Sequence, residues 1–164
     1  MIRIVVYGLP IPQGSKKFVG MRGDRPLMVE DNKRHRPWRE QVTKQAAVAM
    51  AKQAKATTLE GPLVVLMTFT LPKPKSAPKT RRTWPQKKPD ASKLARAVED
   101  SLTDAGVWAD DALVVDLIAR KRYPLEGADS LEQPGVVIRI YEAGAFEADV
   151  FAFDDDQPAQ LFAA

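Results

Sequence analysis

The sequence predicts an α+β (mixed α/β) fold: a single compact domain with a mixed sheet flanked by two main helices, followed by a C-terminal tail. Three observations predict it. Several short β-branched runs end at glycine or proline. Two longer stretches repeat their apolar residues every three or four positions. In chain order these read as strands, helix, strand, helix, strand, strand. The length of 164 residues suits one domain, placed at 1–143, with a tail at 144–164. A core of that size folds without disulfides or a structural metal.

The first strand is IRIVVYG, residues 2–8. A loop, LPIPQGSKKF, follows and carries Lys16 and Lys17; RPLMVED reads as a short second strand. Residues 37–56 read as a helix, because Trp38, Val42, Ala46, Ala49 and Gln53 step by three and four and Pro37 suits a first turn. Residues 61–71, GPLVVLMTFTL, are continuously apolar, which predicts a central strand. Five prolines make residues 72–89 a loop. The next helix covers 90–104 and closes near Gly106, with Asp90 placed to cap it. Strands at 112–124 and 136–142 complete the domain, with Arg139 on the alternate face of the last.

Composition narrows the chemistry. There is no cysteine, which excludes disulfides, zinc-thiolate sites and thiol nucleophiles. The lone histidine, His35, reads as a surface residue at a helix entry rather than as a catalyst. Any catalytic metal must then be held mainly by oxygen, which points to Mg²⁺, with Mn²⁺ as the other candidate. No apolar stretch approaches a membrane span and no signal-peptide pattern opens the chain, so a soluble, cytoplasmic protein with no membrane partner is expected. The net charge of +4 hides an asymmetry. Residues 1–141 hold all 25 bases against 15 acids, whereas the last 23 residues hold six acids and no base. A basic body with an acidic tail fits a nucleic-acid partner.

The segment KKPDASKLARAVEDSLTDAGVWADDALVV, residues 87–115, concentrates the candidate chemistry. On a helical wheel Ala91, Leu94, Ala95, Val98 and Leu102 share one face, and Lys93, Arg96 and Asp100 share the other. Asp90 opens this helix, and Asp110 and Asp111 stand at the mouth of the next strand. Those two ends can meet at one edge of the sheet. Carboxylates for a divalent cation beside bases for a phosphate are what phosphodiester hydrolysis requires. Taken singly, each has a plain structural use: a helix cap, a solvated turn, solubilising charges.

The same segment resembles the core of RusA-type Holliday junction resolvases, small endonucleases typical of phages and prophages. Their pattern is close to KPD-x-D-[NK]-L-x-[KR]-x-x-x-D-x-L-x-x-x-G-x-x-x-DD-x-x-V, and the spacing matches here without a gap. GLPIPQGSKK and the Trp38 helix resemble the family's N-terminal half, so the likeness covers about residues 2–142. It implies a homodimer that binds four-way junctions and cuts two strands symmetrically with Mg²⁺, in the host cytoplasm if phage-encoded. It places the first catalytic aspartate on Asp90 and the last on Asp111, with Asp110 beside it. The family's asparagine or lysine falls on Lys93, its catalytic lysine on Arg96 and its helix aspartate on Asp100. The middle catalytic aspartate falls on Ser92, a departure. A hydroxyl is a neutral and weaker Mg²⁺ ligand, so Asp110 or Asp100 would have to supply the missing charge, or cutting would be slow or absent. A catalytically weak structure-specific DNA-binding protein is therefore the alternative reading.

The remaining features point to partners. The 72–89 loop surrounds Trp84 with Lys73, Lys75, Lys79, Arg81, Arg82, Lys87 and Lys88, a set suited to phosphates, with the indole available to stack on or wedge against bases. Lys16, Lys17, Arg120, Lys121 and Arg122 are further phosphate candidates. In the tail, QPAQLF loosely resembles bacterial sliding-clamp peptides. A protein that works mainly through tail contacts in replication or recombination is the third reading.

Overall fold

The computed structural model describes residues 1–14, 16–30, 34–53, 57–78 and 80–146, with backbone alone for 16–19 and 26–30. Among the described residues the main elements follow in the order β1 (Ile2–Tyr7), β2 (Lys16–Arg22), β3 (Arg25–Glu30), α1 (His35–Ala51), β4 (Leu63–Thr70), α2 (Ala91–Asp104), β5 (Val114–Arg122) and β6 (Gly135–Glu142). A single 3-10 turn, Asp111–Leu113, leads into β5. This is the α+β class that the sequence predicts. Of the expected tail, residues 147–164, with QPAQLF, lie outside the described residues.

The main sheet has the order β1-β6-β4-β5. β4 is central, and its burial on nearly every residue explains its unbroken apolar run. It pairs parallel with β5 and antiparallel with β6, so the sheet is mixed. Parallel pairing demands a crossover, and the loop and α2 supply it. β2 and β3 form a separate two-stranded ribbon. Lys16 and Lys17 thus begin a strand instead of lying in the predicted loop. Local sequence there carries turn residues, and ladder pairing with β3 overrides them.

Both helices pack on one face of the sheet and on each other. Their apolar residues meet Ile4, Val6, Val65, Met67, Phe69, Val136 and Ile138 in one core. Each large side chain buried there contributes about 1.5–3 kcal/mol. On α1 the buried stripe is His35, Trp38, Val42, Ala46 and Met50. His35 is therefore a core-facing residue, not the surface residue expected. Helix α1 starts two positions before Pro37, which puts His35 one turn before Trp38 on the same stripe. On α2 the buried face contains Leu94, Ala95, Val98 and Leu102 as predicted, widened by Ala97 and Ser101.

Gly135 shows how closely β6 is drawn in. A Cβ there would lie 2.3 Å from the Val6 carbonyl oxygen and 2.7 Å from Leu131 Cδ1. Gly135→Ala is expected to cost about 1–3 kcal/mol, read as a lower urea midpoint with an unchanged slope. A wild-type midpoint would show that β1 moves aside without penalty.

Candidate functional site

Helix α2 carries the site because its amphipathic sequence leaves one face to solvent. Ser92, Lys93 and Arg96 are exposed, and Glu99 and Asp100 are half-buried further along. The start of α2 is held from two sides. Lys121 Nζ donates to the Lys87 and Pro89 carbonyl oxygens, each at 3.0 Å. The Gln13 amide donates to the Lys93 carbonyl at 2.9 Å. Asp90 is the N-cap residue by backbone, yet its side chain makes no cap bond. The capping role expected of its carboxylate is not seen. Asp90 is half-exposed, with Lys93 Nζ 3.9 Å away.

The other acids border an open groove of about 280 Å³ lined by Arg39, Asp100, Thr103, Asp104, Asp110 and Asp111. Asp110 Oδ1 accepts from the Ala112 amide at 2.8 Å and so caps the 3-10 turn. Asp111 opens that turn, where the sequence had it opening the strand itself. It is exposed, and its side chain has no hydrogen bond or ion pair among the described residues. Asp100 Oδ2 accepts from Gln13 Nε2 at 2.9 Å and lies 3.8 Å from Arg39 Nη1. Arg39 also pairs with Asp104, which clasps α1 to α2. Asp90 is outside this groove. The ten residues from Asp90 to Asp100 rise about 15 Å along the helix axis. Among the described residues no three acids group closely enough to hold a metal ion. The expected meeting of Asp90 with Asp110 and Asp111 is thus not present as a closed cluster. Asp90 stands at the start of α2, and Asp110 and Asp111 belong to the 3-10 turn that follows its other end.

The basic loop divides into committed and available charges. Lys73 is taken up by Glu126, whose other oxygen accepts from the Thr83 amide at 3.0 Å. Lys121 is spent on the tether described above. Lys75, Arg81, Arg82, Lys87 and Lys88 are exposed. Trp84 is exposed too, with the Arg82 and Arg122 guanidinium carbons 4.2 and 4.7 Å from its ring centroid. Lys79, and the side chains of Lys16 and Lys17, lie outside the described residues.

A scan against protein families matches Endodeoxyribonuclease RusA over residues 8–141. The chain belongs to the RusA endodeoxyribonuclease family. A search of curated proteins finds no match. The RusA match spans β2 through all but the last residue of β6, so it includes the basic loop, α2 and the Asp110–Asp111 turn.

Sequence reasoning missed three residues within this RusA fold. Gln13 and Arg39 orient Asp100 and Asp104, and only the packing of distant segments reveals them. Glu99 is the third; its position between the two wheel faces was the available signal. Burial pushes the Glu99 carboxyl up, Asp111 and Asp100 push it further, and Arg96 opposes them. Burial and the neighbouring acids therefore outweigh the opposing charge of Arg96.

Because the folded protein binds the Glu99 proton more tightly than the unfolded chain, this group's contribution to stability is fully present below the ordinary carboxylate range. It is lost as pH rises through the raised folded value. Glu99→Gln is expected to raise the Tm at pH 7 in EDTA by roughly 2 °C and to leave it unchanged near pH 4. Equal Tm values at pH 7 would remove Glu99 from the field of Asp111.

Proposed function

We propose that this chain is a structure-specific endodeoxyribonuclease that cuts four-way DNA junctions with Mg²⁺, Mn²⁺ being able to substitute. The observation that carries the reading is the groove lined by Asp100, Asp104, Asp110 and Asp111, where the Asp111 carboxylate has no hydrogen bond or ion pair among the described residues, beside the helix whose exposed face holds Lys93 and Arg96. Membership of the RusA family supports the reaction class. Paired symmetric nicks would need two such sites, hence a homodimer.

The donors fit a hard divalent cation in kind, since they are all oxygens. They fit the open type of Mg²⁺ site, in which one or two carboxylates are joined by substrate phosphate and water. Asp110 and Asp111 would be its carboxylates at the groove, and Asp90, with Ser92 a weaker neutral donor beside it, would be the alternative set at the start of α2. Once bound, the cation supplies a polarised phosphate and an activated water. The chain's own residues do the rest. Arg96 and Lys93 face solvent one turn apart and would grip the scissile phosphate and offset developing charge. The Lys121 and Gln13 tethers hold the start of α2 in register with β5 and the N-terminal loop. The exposed bases Lys75, Arg81, Arg82, Lys87 and Lys88 would track the junction arms.

Ser92 favours the second reading, a junction-binding protein that cuts weakly. One assay separates the two. A labelled mobile four-way junction and a linear duplex are incubated with wild type and Ser92→Asp, in Mg²⁺, Mn²⁺ or EDTA. Paired nicks by wild type on the junction alone, lost in EDTA, are expected. Binding without cutting by wild type, with cutting appearing in Ser92→Asp, would establish the binding reading instead. A sliding clamp as partner of QPAQLF belongs to the third reading. Deleting 145–164 would abolish clamp capture there and leave junction affinity unchanged.

A further inference from the structure

Beside β5, away from the acidic groove, lies a second arrangement that the nuclease chemistry leaves unused. Two guanidinium groups, Arg82 from the loop and Arg122 from the end of β5, both lie over the indole of Trp84. They also converge on one point. A Cβ added at Gly127 would stand 3.0 Å from Arg82 Nη2 and 3.1 Å from Arg122 Nε. Glycine thus leaves open a small cradle flanked by two cationic N–H donors, beside an open polar groove lined by Arg81, Arg82 and Glu126.

Among the described residues no carboxylate stands within ion-pairing distance of either arginine, although Glu126 feels the charge of Arg82. Glu126 is next to Gly127, but one of its oxygens is committed to Lys73 and the other to the Thr83 amide. Neither Arg82 nor Arg122 forms an ion pair among the described residues, and Arg122 Nη1 donates only to the Lys121 carbonyl, at 2.8 Å. Burial, then the charges of Arg82 and Arg120, hold the Arg122 guanidinium below its usual range. Like charges brought this close are relieved by an anion, and paired guanidinium donors match phosphate oxygens.

We propose that Arg82, Arg122 and the Gly127 cradle form a clamp for one nucleic-acid phosphodiester, and that Trp84 is a positioning residue that holds the two arginines through its ring. The inference rests on the DNA-cutting reading for its ligand, and it changes the role of Trp84. An indole engaged by two guanidinium groups acts on the backbone through them and does not enter the base stack. The clamp is accordingly indifferent to sequence.

The test measures affinity for the four-way junction and for linear duplex in EDTA, from 50 to 200 mM salt, for wild type, Arg122→Gln, Trp84→Ala and Trp84→Phe. Cutting of the junction in Mg²⁺ is scored in parallel, and a thermal melt checks that each variant is folded. Arg122→Gln is expected to weaken binding on the order of ten-fold and to make the log–log salt slope shallower by about 1. Trp84→Ala is expected to make the slope shallower as well, although it removes no charge, and Trp84→Phe to restore most of it. Wild-type affinity and slope in Arg122→Gln overturn the clamp. A weaker Trp84→Ala with an unchanged slope also overturns it, in favour of base stacking. If wild type binds and cuts while the variants match it, the clamp alone falls. If wild type neither binds nor cuts, the nuclease reading falls with it.

Discussion

Asp111→Asn is expected to reduce junction cutting by on the order of 10²–10³-fold while leaving the protein folded and its junction affinity in EDTA intact. The substitution keeps shape and removes one negative charge and one good cation ligand. The Asp111 side chain is exposed and has no hydrogen bond or ion pair among the described residues, so no structural debt follows its loss. Relief of the charge crowding that raises Glu99 should even stabilise the metal-free protein slightly. Single-turnover cutting at saturating enzyme separates chemistry from binding. Cutting at the wild-type rate would take Asp111 out of the reaction and leave Asp90 as the carboxylate to test.

Trp108→Ala is expected to cost about 3–5 kcal/mol, a loss of roughly 10 °C or more in Tm. Trp108 is only 1% exposed, and it is the largest of the fully buried side chains. Its Nε1 donates to Thr103 Oγ1 at 2.8 Å, which ties the turn after α2 back to the helix itself. Its backbone forms a bridge with Leu59, just ahead of β4. Asp110 and Asp111 follow two and three residues later, so cutting should fall along with stability. Trp108→Phe keeps most of the apolar volume and drops the hydrogen bond, for about 1 kcal/mol. Urea unfolding of the three proteins checks the order. A Phe variant as unstable as the Ala variant would mean that the hydrogen bond, not the packing, anchors the turn.

Much of the fold is legible because it is local. The β-branched runs of β1, β4 and β6 and the three-and-four stepping of α1 and α2 are set by the geometry of strand and helix. The exposed face of α2, with Lys93 and Arg96, follows from the same wheel. Errors fall where another segment decides. His35 is buried because α1 begins before its proline and turns that residue onto the sheet. Lys16 and Lys17 join a strand because β3 offers a ladder. Lys73 and Lys121, read as phosphate contacts, are occupied by Glu126 and by two loop carbonyls brought in from 53 and more than 30 residues away.

The sequence by itself determined the class of the fold, its central strand, the exclusion of cysteine ligands from any metal site and the excess of base over acid in the body of the chain. It did so because composition and short-range periodicity depend on neighbours within a turn or a strand. Only the tertiary structure decided which charges remain available. It left Asp90 and the Asp110–Asp111 turn without a three-acid cluster among the described residues, brought Gln13 and Arg39 to Asp100, and set Arg82 and Arg122 together over Trp84. These are distances between elements, fixed by how helix and sheet share one core, and an ion pair depends on such a distance far more than on the spacing of its partners along the chain.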